Sequence, residues 1–333
     1  MDPTGTAMMI ALFFASAIRI SIPLLIGTMG ETLTERSGHL NLGVEGMMLL
    51  GASAGFFVAA HTQSVLLAML AAMVCAGAGA LLYALLTVTF RANQVVTGLA
   101  LTIFGAGVAN TLGKSVTNQN TPQNIRDLFA WQPLHPDLTG IRGIPVLGPV
   151  AEFVDTAFLQ HNLYVYGALV GAALLAFFLY RTRAGLHLRA VGENPAAADA
   201  SGIRVIATRY GAIVGGGMLC GLAGLYMPLV HITTWVENIT GGRGWIVVAL
   251  VIFVRWDPLK AILGAFLFGA LEIIGFRLQA FPLLSGSLFF SQYLIDMYPY
   301  LMTIVVLVLA NSRKKRGWPG PGALSVPYFR EER

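Results

Sequence analysis

Residues 46–90 read GMMLLGASAGFFVAAHTQSVLLAMLAAMVCAGAGALLYALLTVTF, and no Asp, Glu, Lys or Arg interrupts these 45 residues. A transmembrane helix needs roughly 20 apolar residues, so the stretch is long enough for two. The polar run His61-Thr62-Gln63-Ser64 lies at its middle and predicts the turn between them. The stretch therefore indicates a helical hairpin that crosses a membrane twice.

The composition of the whole chain agrees with this interpretation. Of the 333 residues, 56% are hydrophobic and 11% are charged, whereas a soluble domain carries about 25% charged residues. With the hairpin, further apolar runs bring the predicted number of spans to nine: 7–29, 95–112, 163–180, 210–230, 245–254, 261–276 and 293–310. The run at 245–254 is short, so it must extend through Arg243, tilt or be broken. We predict an all-α polytopic bundle that includes discontinuous helices.

The basic residues predict the orientation of the bundle. Suppose that the run Arg313-Lys314-Lys315-Arg316 is cytoplasmic. Fifteen of the 21 Lys and Arg residues then fall on the inner side, and four fall on the outer side: Lys114, Arg126, Arg142 and Arg243. The inner side of a membrane protein carries the excess of Lys and Arg, so the N-terminus is predicted outside and the C-terminus inside. No basic patch is interleaved with aromatic residues, so nucleic acid is not an expected partner.

One membrane domain accounts for most of the chain. We assign residues 1–312 to it and residues 313–333 to a cytoplasmic C-terminal tail that is too short for a domain. The longest outer connection, residues 113–160, is rich in Pro and Gly and predicts a surface loop with short elements. The longest inner connection between spans is residues 181–209.

A polar segment follows the first predicted span. Residues 31–46 read ETLTERSGHLNLGVEG and contain three carboxylates, an arginine and an asparagine. Ionisable groups at membrane depth normally face protein or a water-filled cavity, and a broken helix is tolerated only in such places. Residues 31–36 fit an ordinary inner-side loop equally well. For residues 41–46, which run directly into apolar sequence, a discontinuous helix is the better interpretation.

A second glycine-broken polar segment, residues 240–244, lies in the other half of the chain. Paired interruptions of this kind point to a translocation path. The residues predicted to line it are Asn41, Gly43, Glu45, Gly241 and Arg243.

Five stretches carry a resemblance to a known family. Residues 35–48 (ERSGHLNLGVEGMM) resemble the signature of bacterial ABC-importer permeases of the branched-chain amino acid and simple-sugar superfamily. Residues 185–197 (GLHLRAVGENPAA) look like its ATPase-contacting loop, and residues 240–245 (TGGRGW) are similar to its Gly-Arg-Gly segment. Residues 299–303 (PYLMT) and 323–331 (ALSVPYFRE) resemble its C-terminal end, and the latter favours the nucleoside branch. Gln94 departs from the pattern, because the branch more often has an acidic residue before the two valines.

The resemblance implies a permease subunit in the bacterial inner membrane, with nucleosides as cargo. A ribose-like sugar or a branched-chain amino acid is the alternative cargo. It also implies a second permease chain, partner ATPase subunits that use the ATP, an extracytoplasmic substrate-binding lipoprotein and surrounding lipid. The residues that it assigns to ATPase coupling are Arg189, Gly192, Glu193, Asn194, Pro195, Ala197 and Gly202.

The inner connection supports the coupling assignment by its own chemistry. Asn194 is a good N-cap, and Pro195 suits the first helical turn. The run from Ala196 to Ala200 favours helix, and Gly202 suits the residue after a helix end. We predict a short helix of about two turns. Because so short a helix is marginal alone, it would pack either against a partner or against its own bundle.

The chain is not expected to be an enzyme or to bind a cofactor or a metal. Its nearest approach to a Walker A motif begins at Gly107 and ends at Lys114-Ser115, with five residues rather than four between the glycines. A secondary transporter would need coupling carboxylates within the spans, which are scarce. For Arg19, Glu272 and Arg277, ion pairs within the bundle or against the partner permease are the default interpretation, ahead of cargo contact.

Overall fold

The computed structural model describes residues 3–134, 147–279 and 320–329, together with 294, 297–298, 300–305 and 308. In these residues the chain is helical, apart from turns and one isolated bridge between Asn120 and Thr234. The helices are α1 (Pro3–Glu35), α2 (Val44–Thr62), α3 (Val65–Ala84), α4 (Gln94–Gly113), α5 (Gln123–Ala130), α6 (Leu147–Val154), α7 (Leu163–Arg181), α8 (Arg183–Glu193), α9 (Pro195–Ala200), α10 (Val205–Tyr226), α11 (Arg243–Phe253) and α12 (Pro258–Gln279).

Seven of these helices are long and apolar enough to cross a membrane: α1, α2, α3, α4, α7, α10 and α12. The predicted all-helical, multi-pass membrane fold is confirmed. The weak span is α11, which begins at Arg243 and whose 11 residues reach only about 16 Å. Eight of the 18 residues of the predicted ninth span at 293–310, and residues 311–319 and 330–333 of the tail region, lie outside the described residues.

The hairpin predicted from residues 46–90 is confirmed. Helix α2 ends at Thr62, and Gln63 adopts a left-handed φ of 53°. Ser64 begins the next helix, and its hydroxyl accepts a hydrogen bond from the Leu67 N–H at 3.4 Å. The polar run therefore makes the turn because it supplies the left-handed residue and the N-cap.

Helix α10 lies at the centre of the bundle, packed against α1, α2 and α3. Glycine makes the close approach possible: a Cβ at Gly51 would lie 2.3 Å from the Cα of Gly221, and one at Gly224 would lie 1.8 Å from the Met48 carbonyl oxygen. In lipid the hydrophobic effect cannot drive helices together, so small residues that permit backbone contact stabilise such pairs.

Two features differ from the predictions. Helix α1 continues six residues past the predicted span, so Glu31 and Glu35 are helical and buried rather than part of an inner loop. Gly30 does not stop the helix, because it packs against the Gly216 carbonyl of α10. In the inner connection, α8 was not predicted; it is capped by Thr182, whose hydroxyl accepts from the Gly185 N–H at 3.0 Å.

The inter-helix connections gather at two ends of the bundle. At one end, which we call the Arg36 end, hydrogen bonds join Leu40 to Gln94 and Arg36 to Trp256. At the same end, residues 323–325 form hydrogen bonds with Gly38 and Gly192. At the opposite, Gln63 end, Asn124 bonds the Gln63 carbonyl, and Thr121 bonds Thr233. Connections that are far apart in sequence therefore share one end of the bundle, and which end faces the cytoplasm stays a prediction.

Candidate functional site

A buried turn holds the first polar segment at the Arg36 end. The Asn41 backbone N–H donates to Glu31 Oε1 at 3.1 Å, and its side-chain amide donates to Glu31 Oε2 at 3.2 Å. The Asn41 side-chain oxygen accepts from the Gly43 N–H at 2.9 Å. All three residues are buried. Asn41 therefore ties the turn to α1 through its backbone N–H and its amide nitrogen, while its amide oxygen bonds within the turn, so the side chain has little bonding capacity left for a ligand.

The connection after α1 also binds the connection after α11. The Trp256 indole N–H donates to the fully buried Glu35 carboxylate. In return, the Arg36 guanidinium donates to the Trp256 carbonyl at 3.2 Å and 3.3 Å. These reciprocal hydrogen bonds join the end of α1 to the connection after α11.

Glu45 joins the two predicted polar interruptions. Its Oε1 accepts from the Thr240 hydroxyl at 2.5 Å and from the Gly242 N–H at 2.9 Å, and its Oε2 accepts from the Gly244 N–H at 2.6 Å. The Cα of Glu45 would lie 2.5 Å from a Cβ at Gly244. A carboxylate here satisfies the orphan N–H groups at the start of α11 and complements the helix dipole. The segments predicted to share a path are thus in direct contact.

Arg243 lies inside the bundle rather than in an outer loop, which corrects its predicted location. Arg243 begins α11 next to Glu45. The residue after Glu45, Gly46, packs against the Leu101 backbone, so the start of α11 lies at the level of Leu101 in α4. Asn110, which contacts the connection between α10 and α11, is nine residues further along α4, or about 13 Å. The chain therefore descends from the Gln63 end before α11 starts, so α11 is a broken span, one of the alternatives given for the short run at 245–254. The discontinuous helix predicted for residues 41–46 is not found, because residues 41–43 form the turn between α1 and α2 and residues 44–46 begin α2.

The Arg243 guanidinium forms an ion pair with Glu272 of α12 and donates to the Thr240 carbonyl at 3.2 Å. Both partners of the ion pair are about 15% exposed. The default interpretation of Glu272 as part of an inter-helix pair is confirmed, although the sequence did not identify its partner. Gly241 lies beside them, exposed, with a positive φ of 56°. The Arg277 side chain lies outside the described part of the chain.

A cavity of about 490 Å³ opens at the Gln63 end. Basic, polar and aromatic side chains line it, including Arg19, Arg126, Phe129, Asn162, Tyr226 and His231. Arg19 is exposed in this cavity and has no ion-pair partner among the described residues, so the ion pair expected for it is not found there. The volume of the cavity falls within the range of small-molecule sites, about 300–1,000 Å³.

The short helix predicted in the inner connection is confirmed as α9. The Asn194 side chain accepts from the Ala197 N–H at 3.0 Å, Pro195 occupies the first turn, and Gly202 has a φ of 82°. Ala197 is exposed, whereas Ala198 is buried against the bundle. One face of α9 is therefore free for a partner while the other holds the helix in place; its coupling role stays a prediction.

The other predicted coupling residues lie in α8. Arg189 stacks over the Tyr180 ring at 5.4 Å. Gly192 and Glu193 bond the C-terminal residues: the Ala323 N–H donates to the Gly192 carbonyl at 2.8 Å, and the Gly322 N–H donates to the Glu193 carboxylate at 3.1 Å. Sequence reasoning missed this contact, and its only signal was the resemblance of residues 323–331 to a family motif.

His39 is buried under the same end of the bundle. Burial, and secondarily the positive charge of Arg209, lower the pKa of His39 to about 3. The ring is therefore neutral at physiological pH. It adds no charge to the basic groups around it.

Comparison with known proteins identifies the family. Residues 13–309 match the family described as branched-chain amino acid transport system, permease component. The chain is 35% identical to a putative glucose ABC transporter permease protein of Haloferax volcanii, over 95% of this chain and 97% of that protein. It is 30% identical to a guanosine ABC transporter permease protein of Bacillus subtilis, over 93% and 94% of the two chains. It is 32% identical to a nucleoside ABC transporter permease protein of Lactococcus lactis, over 89% and 90%. No solved structure matches the chain significantly. The chain belongs to the family of ABC transporter permease components of the branched-chain amino acid type.

Proposed function

We propose that this chain is the permease subunit of an ABC importer that carries nucleosides across a bacterial cytoplasmic membrane. The observation that carries this proposal is its match, over nearly the full length of both chains, with permeases named for guanosine and for nucleosides. A sugar is the second candidate cargo, because a relative of 35% identity is named as a putative glucose permease.

The proposed path runs from the cavity at the Gln63 end to the Arg36 end. We place the Gln63 end outside, since the larger share of basic residues gathers at the other end. Cargo would enter past Arg19 and pass the junction where α11 begins at Arg243. Asn41, Gly43 and Glu45 would shape the wall of this junction rather than bind cargo, because Asn41 and Glu45 spend their hydrogen bonds on the protein itself.

The energy would come from partner ATPase subunits that dock on α9 at the Arg36 end. This chain would bind neither ATP nor a cofactor of its own. A second permease chain and an extracytoplasmic binding lipoprotein would complete the importer. A helix as short as α9, with small exposed side chains on one face, offers a narrow ridge for a cleft in such a partner.

Ala197→Arg tests the docking of the ATPase. The side chain is exposed, so the variant should fold normally, yet a long charged group on the ridge should block a close-fitting partner. We expect co-purification of the ATPase and ATP-dependent uptake to fall at least tenfold. Lys114→Gln, an exposed change at the opposite end, serves as the control. Undiminished association and uptake in Ala197→Arg would refute the coupling role of α9.

Cargo identity is tested by deleting the gene and measuring uptake of labelled guanosine, adenosine, uridine, ribose and glucose. We expect nucleoside uptake to be lost and to return with the wild-type gene. Loss of glucose or ribose uptake alone would favour the sugar alternative. Uptake that persists without the ATPase genes and collapses with a proton ionophore would indicate an ion-coupled transporter and contradict the proposal.

Arg19→Gln tests the cavity as the entrance for cargo. A guanidinium offers five donors to the hydroxyl and carbonyl oxygens of a nucleoside, and Gln offers only two. We expect the KM for uptake to rise about tenfold with little change in assembly. The measurement is initial uptake against cargo concentration in proteoliposomes, with Lys114→Gln as the matched loss of charge outside the cavity. An unchanged KM would remove Arg19 from the path.

A further inference from the structure

The C-terminal residues 320–329 lie across the Arg36 end and bond two parts of the chain that are far apart in sequence. The Ala323 N–H donates to the Gly192 carbonyl at 2.8 Å, and the Ser325 N–H donates to the Gly38 carbonyl at 3.1 Å. One short stretch of backbone thus connects the last turn of α8 with the connection after α1.

Glycines bring these backbones into direct contact. A Cβ at Gly192 would lie 2.1 Å from the Arg36 carbonyl oxygen, and a Cβ at Gly322 would lie 2.9 Å from the Glu193 carbonyl oxygen. Gly38 has a φ of 91°, a conformation that L-residues with a side chain rarely adopt. The three connections therefore fit together only with glycine at these positions.

The same segment holds α9 through Tyr328. Its hydroxyl donates to Asp199 Oδ2 at 2.8 Å, and its ring packs with the buried residues Ala198 and Val205. The Arg209 guanidinium lies 5.9 Å from the ring centre. Since a six-residue helix is marginal on its own, these contacts fix where α9 sits.

We propose that residues 320–329 form a clasp that positions α9 relative to the turn after α1. Asn41 follows Gly38 by three residues and bonds Glu31. A displacement of α9 would therefore move Tyr328, and through Ser325 it would move Gly38 and the buried turn that follows it. The mechanical role of the clasp rests on the proposed function, in which an ATPase displaces α9, whereas the positioning of α9 rests on the contacts alone.

Tyr328→Phe tests the clasp, since it removes one hydroxyl and keeps the ring. In the purified full-length chain in detergent, we expect amide hydrogen exchange of residues 197–201 to accelerate about fivefold, the effect of one lost hydrogen bond of ordinary strength. In the complete importer in proteoliposomes, we expect the ATPase to stay bound and to hydrolyse ATP, while cargo moved per ATP falls about fivefold. Tyr180→Phe is the matched control, because its hydroxyl has no hydrogen bond within the described residues.

A second variant separates the specific bond from a general loss of stability. In an Asp199→Ala background the acceptor is already gone, so adding Tyr328→Phe should change neither exchange nor the transport ratio further. Unchanged exchange in Tyr328→Phe alone, or an additive effect in the double variant, overturns the clasp. If the wild-type importer does not couple ATP to uptake, the proposed function fails, and the exchange measurement still decides the position of α9.

Discussion

Gly224→Ala is expected to disrupt the packing of α10 against α2. A Cβ at this position would lie 1.8 Å from the Met48 carbonyl oxygen, 2.6 Å from its carbonyl carbon and 2.9 Å from its Cα. Backbone atoms within a helix cannot turn aside as a side chain can. The two helices would have to separate by more than 1 Å, and overpacking costs about 1–3 kcal/mol, occasionally more. Because α10 is the central helix, we expect a penalty at the upper end of this range.

Gly211→Ala is the matched control for this prediction. It makes the same substitution in the same helix, but nothing lies within 4 Å of the Cβ that it adds, and Ala favours helix over Gly by about 1 kcal/mol. The measurement is thermal unfolding of both variants in detergent, with the loss of monodisperse protein as the readout. We expect a much lower midpoint for Gly224→Ala and an equal or higher one for Gly211→Ala. Equal midpoints would show that the close approach of α2 and α10 does not limit stability.

Features that depend on local chemistry could be predicted from the sequence. The hairpin of α2 and α3 follows from an uncharged run with a polar centre, and α9 follows from Asn194 and Pro195 at its start. In both cases the residues that decide the structure are neighbours in the chain. Capping and turn preferences act over a few residues, so reading one window of sequence is enough.

Features that depend on distant partners could not be predicted. Glu45 and Gly244 are 199 residues apart, and Arg243 and Glu272 lie on different helices. The run from Glu31 to Arg36 fitted an inner-side loop as well as a buried segment, because its charges argue against lipid. In the structure these charges are buried against Asn41 and Trp256, so the helix continues. A single sequence does not say which distant group satisfies a charge, and that choice decides where α1 ends and where Arg243 lies.

Glu45→Gln is expected to reduce uptake about tenfold while the bundle still assembles. The amide keeps the shape of the side chain, but only one of its two ends can accept a hydrogen bond. In one orientation the amide NH2 group would face the Gly244 N–H. In the other orientation it would face the Gly242 N–H and the Thr240 hydroxyl. An unsatisfied buried donor costs about 1–3 kcal/mol, and the favourable interaction of the charge with the α11 dipole is lost as well. The start of α11, where Arg243 borders the proposed path, would loosen.

The measurement is uptake in proteoliposomes that contain equal amounts of assembled importer, together with amide exchange of residues 242–246. Glu237→Gln removes a carboxylate from an exposed position in the connection just before α11, so it should leave both quantities unchanged. Faster exchange together with slower uptake in Glu45→Gln would support the view that the carboxylate holds the start of α11 in the position that transport requires. If uptake slows while amide exchange at the start of α11 stays unchanged, Glu45 acts on cargo directly. The assignment of its hydrogen bonds to the wall of the path is then wrong.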